Sequence, residues 1–374
     1  MRLGLELECW VVDGEGWLAA PGDLAETEPW LEREFAAPLV EVRTSPCESP
    51  AALADEFADR LDALREAAAD RDLRLAPLGT PLAADTVPTR ETERVRVQRA
   101  VLGDALYDAA RCAGAHLHVE ATAPTDQLRA LTALDPALAL VASAPYCRGE
   151  RVATCARAQT YRDGCYGDAP ALGGLWPYPA SVDSWRSWRD ATRAGLVDAA
   201  VAAGVDRATA EDVLSPHDAV WTPVRLRDDL GTVEWRAPDA CAPDQLLRLV
   251  ADVAGVLERA AERGTAVGHG PGLALPPMAD LRRATREAVE RGVTPDVAAH
   301  LRRVGLDPDR YRPYAARVGG GHLDDAAARR LRREAADRFE RALDDLLAAP
   351  DAVTGAPRGR RDRRGGSGDR SVPR

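Results

Sequence analysis

The 374-residue sequence predicts an α+β fold, in which strands of alternating polarity form a sheet and amphipathic helices cover it. Three observations support this prediction. Residues 3–12 alternate between apolar and polar side chains, which is typical of a strand with one buried face. Residues 219–226 and 231–237 flank a tight turn, which indicates a hairpin. Residues 243–263 repeat apolar side chains at helical spacing.

The other elements follow from the same two periodicities, taken in chain order. Ser49 and Pro50 indicate a helix start, because serine accepts hydrogen bonds from unpaired amides and proline suits the first turn. Residues 163–182 are rich in Gly, Pro, Tyr and Trp and are long enough for a lid or binding loop. We expect strands at 39–44, 73–78 and 116–120, a loop at 79–92, helices at 50–72, 93–112, 124–143 and 183–204, and a mostly helical region at 260–350.

The charge distribution excludes some classes of function. The net charge is −11, and all 49 basic residues are Arg, because the sequence contains no Lys. An acidic body argues against a general nucleic-acid binder or a protein of anionic membrane surfaces. The segment from Gly355 to Arg374 differs, since its seven Arg against two Asp give it a net charge of +5.

These features predict one domain at 1–350 and a disordered Arg/Gly-rich tail at 351–374. The first apolar stretch contains Glu6 and Glu8, unlike a signal peptide, and no uncharged run is long enough for a membrane helix. We therefore expect a cytoplasmic protein. The seven cysteines are scattered without a CxxC pair, which favours reduced, buried thiols over zinc ligands or disulfides.

Four predicted strands each carry two polar residues at i and i+2, and so on one face. One such pair is ordinary for a solvent-exposed strand face. Four pairs on one antiparallel sheet would line a common polar surface, where neighbouring like charges need a counter-cation. Carboxylates and imidazoles of this kind suit Mg²⁺ or Mn²⁺, and a neighbouring Arg suits a transferring phosphoryl group. The pairs are Glu6/Glu8, Glu41/Arg43, His116/His118 and Glu234/Arg236.

Four motifs carry a resemblance to a known family. They are MRLGLELECWVVD at the start, GAHLHVE at 114–120, ALVASAPYCRGE at 139–150 and GTVEWRAPDA at 231–240. Together they resemble the carboxylate–amine ligases of the second glutamate–cysteine ligase family, in order and approximate spacing over residues 1–260. The resemblance implies a glutamine-synthetase-like catalytic domain, an antiparallel sheet cupped by α-helices with the site on its concave face. It also leads us to expect a homodimer.

The resemblance further implies a reaction and a set of residues. In such ligases ATP phosphorylates a carboxylate, typically the γ-carboxylate of glutamate, and an amine then attacks the acyl phosphate. The matching positions give Glu6, Glu8, Glu41, His116 and Glu234 as ligands of Mg²⁺ or Mn²⁺. They give His118, Arg157, Gln159, Arg225 and Arg236 as ATP contacts, with Arg157 and Arg236 also catalytic.

The sequence departs from the family pattern at several positions. The family has a second acidic residue before the position of Glu41, and this sequence has Ala37 there. The family also has His after the Gly-Thr pair, whereas Pro81 follows Gly79-Thr80 in this sequence. The specific expectation is γ-glutamylcysteine synthesis from small-molecule amino acids, without nucleic-acid or membrane partners. Three alternatives stay open: another carboxylate or amine, phosphotransfer to a guanidino group, and a non-catalytic homologue that binds nucleotide.

Overall fold

The computed structural model describes residues 1–349 except 85, 218, 269 and 271, so the predicted tail at 351–374 lies outside the described residues. Within them the chain forms eleven strands and twelve α-helices. The strands are β1 Leu3–Asp13, β2 Leu31–Arg33, β3 Leu39–Arg43, β4 Leu73–Ala76, β5 Ala115–Glu120, β6 Tyr146–Cys147, β7 Glu150–Arg151, β8 Val224–Arg227, β9 Thr232–Trp235, β10 Thr265–Val267 and β11 Leu273–Leu275. The helices are α1 Pro50–Ala69, α2 Glu93–Leu102, α3 Leu106–Ala109, α4 Pro124–Ala133, α5 Ala156–Gln159, α6 Pro170–Gly173, α7 Val182–Ala202, α8 Arg207–Val213, α9 Pro243–Arg263, α10 Met278–Arg291, α11 Pro295–Arg303 and α12 Asp325–Ala348.

The main sheet has seven strands in the order β2-β3-β1-β5-β9-β8, with β4 paired to the end of β1. Every pairing in it is antiparallel. Glu6 of β1 lies opposite Arg43 on one side and His116 on the other, and Glu8 lies opposite Glu41. Residues directly opposite each other point to the same face of a sheet. The register therefore places the four predicted polar pairs on one common face.

The opposite face of the sheet is apolar and fully covered. Alternate residues of β1, from Leu3 to Val11, are buried, as the pattern of residues 3–12 predicts. Helices α1, α4 and α12 contact the strands, and α9 packs against all three. Helix α1 begins as expected, since the Ser49 side chain accepts a hydrogen bond from the Ala52 amide at 3.2 Å. The helices thus enclose a core on one side and leave the polar face to form a site.

Two helices predicted as continuous are interrupted. The helix expected at 93–112 ends at Leu102, because Gly103 adopts φ +61° before a short 3₁₀ turn and α3. The helix expected at 124–143 ends at Ala133, and Asp135–Leu140 continue as a 3₁₀ turn. Pro136 has no amide hydrogen to donate to the preceding turn, which explains the second break.

Other differences concern short elements. The strand expected at 219–226 begins only at Val224, and β2, β10 and β11 were not predicted because three residues show no clear periodicity. All seven cysteines are free and buried, which confirms the expectation for thiols. Among the described residues, no helix has the length and apolar character needed to cross a membrane.

Candidate active site

The polar face brings together seven of the predicted site residues in one cluster. Strand β1 contributes two carboxylates and β3 contributes one. Strand β5 contributes two imidazoles. Strand β9 contributes a carboxylate, and the residue that follows β9 contributes a guanidinium. These side chains are Glu6, Glu8, Glu41, His116, His118, Glu234 and Arg236. Three overlapping groups within the cluster hold ligand atoms within 4.8 Å of one another: Glu6/Glu41/His116, Glu6/His118/Glu234 and Glu8/Glu34/Glu41.

The part we call the imidazole half consists of Glu6, His116, His118 and Glu234, and Glu6 lies between the two histidines. Its carboxylate is 2.9 Å from Nδ1 of His116 and 3.3 Å from Nε2 of His118. Burial alone would raise the pKa of Glu6, but its interactions with both imidazoles outweigh it and keep that pKa below its ordinary value. Burial, assisted by Arg236, lowers the pKa of His116 to about 4, so His116 is neutral at physiological pH.

The two imidazoles offer nitrogen atoms to a ligand. An ionised Glu6 accepts from Nδ1 of His116, so the proton of a neutral ring lies on Nδ1 and leaves a lone pair on Nε2. Within the described residues, Nε2 of His116 and Nε2 of His118 are both buried and make no hydrogen bond. Such unsatisfied nitrogens next to carboxylates fit a divalent cation.

The part we call the carboxylate half consists of Glu8, Glu34 and Glu41. Burial and the neighbouring Glu34 raise the pKa of Glu8 to about 8, although the Gly114 amide donates to its carboxylate at 2.6 Å. Burial and the charges of Glu34, Glu6 and Glu8 raise the pKa of Glu41 well above its ordinary value. Burial also raises the pKa of Glu34. Three carboxylates that repel each other in this way form a site for a cation.

Glu34 is a site residue that the sequence analysis missed. It follows β2 directly and supplies the third carboxylate of this half, where Ala37 had suggested a loss. A signal existed, because Glu32 and Glu34 alternate with Leu31, Arg33 and Phe35 as in a strand. It was too short to be recognised, since only three residues pair as β2 with β3.

Glu234 lies among guanidinium groups. Its side chain is fully buried, and Oε1 accepts from Arg236 at 2.5 Å and from Arg225 at 3.1 Å. Burial would raise the pKa of Glu234, but Arg225 and Arg236 outweigh it and hold that pKa well below its usual range. Arg225, predicted as an ATP contact, is therefore bound in this structure to Glu234 and to the carbonyl of His217.

Arg157 lies close to the carboxylate half, and Gln159 does not. The guanidinium of Arg157 donates to the carbonyls of Arg236 and Ala237 and sits against Gly114. A Cβ on Gly114 would lie 2.1 Å from Nη2 of Arg157, so only glycine leaves room for this arginine. The Gln159 side chain instead donates to Asp163 at 2.5 Å, away from the cluster.

Two cavities are lined by different members of the cluster and share no lining residue. The Trp30 cavity, of about 540 Å³, is lined by Glu6, His118, Arg43 and Trp30 among others. The Trp221 cavity, of about 360 Å³, is lined by Glu8, Glu34, Arg157, Arg236 and Trp221 among others. The cluster therefore forms the boundary between two spaces large enough for small molecules.

Three motif residues lie behind the site as structural support. Ser143 donates to Asp239 from its amide at 3.0 Å and to the same carboxylate from its hydroxyl. The Gly79 amide donates to the Ser143 hydroxyl at 2.7 Å. Burial raises the pKa of Asp239 to about 6. This network ties three distant motifs together and fixes the segment that follows Arg236.

Comparisons with known proteins place the chain in a family. The model of glutamate–cysteine ligase family 2 (GCS2) matches residues 2–336. A curated Rhodococcus jostii (strain RHA1) protein named "Putative glutamate--cysteine ligase 2-1" is 27% identical over 249 residues, covering 64% of this chain and 62% of that protein. The match thus spans less than two thirds of the relative's length.

Solved structures show the same fold. A glutamate–cysteine ligase from Francisella tularensis in complex with AMP has a TM-score of 0.54 at 13% identity, covering 96% of this chain and 95% of that one. A bifunctional glutathione synthetase from Pasteurella multocida has a TM-score of 0.52 at 15% identity, covering 91% of this chain and 53% of that one. These neighbours confirm the predicted α+β fold. Because the family model matches most of the chain, the protein belongs to glutamate–cysteine ligase family 2.

Proposed function

We propose that this protein is an ATP- and Mg²⁺-dependent carboxylate–amine ligase that joins the γ-carboxylate of glutamate to the amine of cysteine. One observation carries the proposal: a cluster of carboxylates, imidazoles and a guanidinium separates two cavities on one sheet face. Such a boundary suits phosphoryl transfer, because the donor and the acceptor can approach the same charges from the two cavities. Membership of the GCS2 family supports it.

The residues present fit a divalent cation. Glu8, Glu34 and Glu41 would hold one ion, and Glu6, Glu234 and the free imidazole nitrogens would hold a second. When bound, Mg²⁺ or Mn²⁺ neutralises the oxygens of the nucleotide phosphates and of the acyl phosphate. Arg225 fixes the Glu234 carboxylate by hydrogen bonds and so keeps it in place for this role.

The two cavities suit different substrates. We assign the nucleotide to the Trp30 cavity, where the indole of Trp30, Pro29 and Pro46 offer apolar surface for a base near His118. We assign the amino acids to the Trp221 cavity, where Arg157 and Arg236 lie beside Glu8 and Glu34. Guanidinium groups bind carboxylates through paired hydrogen bonds, which suits glutamate and its acyl phosphate.

The chemistry needs positioning and charge rather than a protein nucleophile. A γ-carboxylate oxygen of glutamate attacks the terminal phosphorus, and the bond to ADP breaks. The amine nitrogen then attacks the acyl carbon, loses a proton, and phosphate departs with the electron pair of the broken C–O bond. Arg236 points its Nη1 at Glu234 and stays charged, because Glu234 outweighs burial and raises the pKa of Arg236. It thereby faces the charge that develops during phosphoryl transfer.

ADP release by the purified protein with Mg²⁺ tests the proposal. We expect turnover that requires ATP, glutamate and cysteine together. Glu234→Gln removes a charge from the cluster and should lower the rate at least about 100-fold. Glu150→Gln is a matched control, because Glu150 is exposed, lies on the separate β6–β7 hairpin and pairs with His322.

The outcomes separate the alternatives. ADP release with another amine or carboxylate would keep the ligase and change its substrate. ADP release with a guanidino compound, without amide formation, would show that the reaction is phosphotransfer rather than ligation. If the folded protein binds Mg²⁺ and ATP but never releases ADP with any amino-acid pair, the ligase proposal is wrong.

A further inference from the structure

One wall of the Trp221 cavity is a continuous stack of aromatic rings with a guanidinium at each end. Arg94 lies 5.8 Å from the ring centre of Trp221, and Trp221 stacks on Tyr166 at 5.7 Å. Tyr166 meets Tyr161 edge to face at 5.0 Å, and Arg157 lies 5.9 Å from the Tyr161 ring. All five side chains line the cavity. We call this stack the aromatic wall.

The aromatic wall is held rigidly by several parts of the chain. The Trp221 amide donates to the carbonyl of Leu172 at 2.7 Å. Tyr161 and Cys165 belong to a single π-helical turn, Thr160–Cys165, and Tyr166 follows it directly. Arg162 of this turn forms two hydrogen bonds of 2.8 Å with the fully buried Asp135. A surface fixed in this way can select a ligand by shape.

The wall offers apolar surface and few hydrogen bonds. The rings of Trp221, Tyr166 and Tyr161 pack against one another and line the cavity. Polar groups lie elsewhere in the cavity. Glu8 and Arg236 stand at the cluster, and the exposed Arg33 and Arg90 mark the open end.

An α-amino acid that acts as the amine has three groups to place in this space. Its amine must reach the acyl phosphate at the cluster, and its α-carboxylate suits the exposed guanidinium of Arg90 at the open end, since Arg33 there already pairs with Glu26. Its side chain then meets the aromatic wall. We infer that the aromatic wall binds the side chain of the amine substrate, and that Trp221 limits that side chain to a small apolar or thiol group. This inference rests on the proposed function.

Two physical effects give the wall this selectivity. Sulfur makes favourable contacts with aromatic rings, so a thiol side chain is bound well. A hydroxyl in the same position loses water without gaining a partner, so serine is bound poorly. A longer chain collides with the indole ring of Trp221, which has little room to move between Arg94 and Tyr166.

The test compares cysteine, serine and norvaline as amines, with glutamate and MgATP. The wild-type protein should prefer cysteine over both by about tenfold or more in kcat/KM. Trp221→Leu opens the wall and should raise the norvaline-to-cysteine ratio about tenfold, with the KM for glutamate unchanged. Trp188→Leu is the matched control, since Trp188 belongs to the separate tryptophan group with Trp176. An unchanged norvaline-to-cysteine ratio in Trp221→Leu would overturn the inference and leave the proposed function intact.

Binding provides a second readout that needs no turnover. Calorimetric titration of cysteine and norvaline into the protein with Mg²⁺ and a non-hydrolysable ATP analogue should show the same change of preference in Trp221→Leu. If the protein shows no turnover but Trp221→Leu still changes the binding preference, the proposed function is refuted and the aromatic wall remains a binding surface. Absent binding of any of the amines refutes the wall. If circular dichroism shows that Trp221→Leu does not fold, Trp221→Phe replaces it in the test. Trp221→Phe should then raise the norvaline-to-cysteine ratio by a smaller factor.

Discussion

The carboxylate half and the imidazole half lie side by side on one sheet face, yet their electrostatics are opposite. In the carboxylate half, burial raises the pKa of Glu8, Glu34 and Glu41, and the charge of Glu34 adds to the rise at Glu8 and Glu41. In the imidazole half, His116 and His118 keep the pKa of Glu6 low despite burial, and arginines do the same for Glu234. The comparison teaches that the protein's own imidazoles and guanidinium groups partly neutralise the imidazole half, whereas the carboxylate half depends more strongly on a cation.

Glu234→Gln should break the partly neutralised half and have the largest effect. It leaves the buried Arg225 and the partly buried Arg236 without their counter-charge. We expect the free energy of unfolding without Mg²⁺ to fall by about 3 kcal/mol, as for other broken buried ion pairs. Urea titration followed by circular dichroism measures this, with Glu150→Gln as the control. Equal stability of the two variants would show that the arginines do not need Glu234.

Gly114→Ala tests the contact between Arg157 and the carboxylate half. The added Cβ would collide with the Arg157 guanidinium and force it away from Glu8. We expect a loss of about 2 kcal/mol in unfolding free energy, as for overpacked cores, together with weaker glutamate binding. Gly195→Ala is the control, because a Cβ there meets nothing within 4 Å. Similar thermal unfolding of both variants would contradict the close packing.

Glu34→Gln should change the free energy of unfolding of the Mg²⁺-free protein in the direction opposite to Glu234→Gln. Removing one of three repelling carboxylates should stabilise the Mg²⁺-free protein by roughly 1 kcal/mol, the value of about one pKa unit. The same change should weaken Mg²⁺ binding at least about tenfold, because a cation ligand is lost. Thermal unfolding with and without Mg²⁺ measures both effects. Destabilisation without Mg²⁺ would show that the three carboxylates do not repel each other.

Asp239→Asn gives the smallest effect and extends the comparison to a carboxylate outside the cluster. Burial raises the pKa of Asp239 to about 6, above that of the unfolded chain, so folding retains a proton that the unfolded chain loses. Asp239 therefore lowers stability progressively as pH rises from about 4 to 6. Between pH 5 and 7.5, Asp239→Asn should gain about 1 kcal/mol relative to the wild type, with or without Mg²⁺. A pH-independent difference between the two proteins, measured by urea titration, would refute the raised pKa.

Local patterns identified the parts of the site that lie on long strands. The alternation of β1 fixed the shared face of Glu6 and Glu8, and the pairs on β3, β5 and β9 followed the same rule. Glu34 escaped notice because β2 pairs over three residues. The aromatic wall escaped notice because Arg94, Trp221 and Tyr166 come from segments far apart in the sequence.

By itself, the sequence determined which residues share a strand face, where the long helices run and which family the motifs resemble. Those properties depend on neighbours within a few residues, and two periodicities encode them. Tertiary structure alone decided that Arg225 binds Glu234, that Gly114 makes room for Arg157, and that the cluster separates two cavities. These features depend on the register of strands and on close packing between distant segments, which no local pattern specifies.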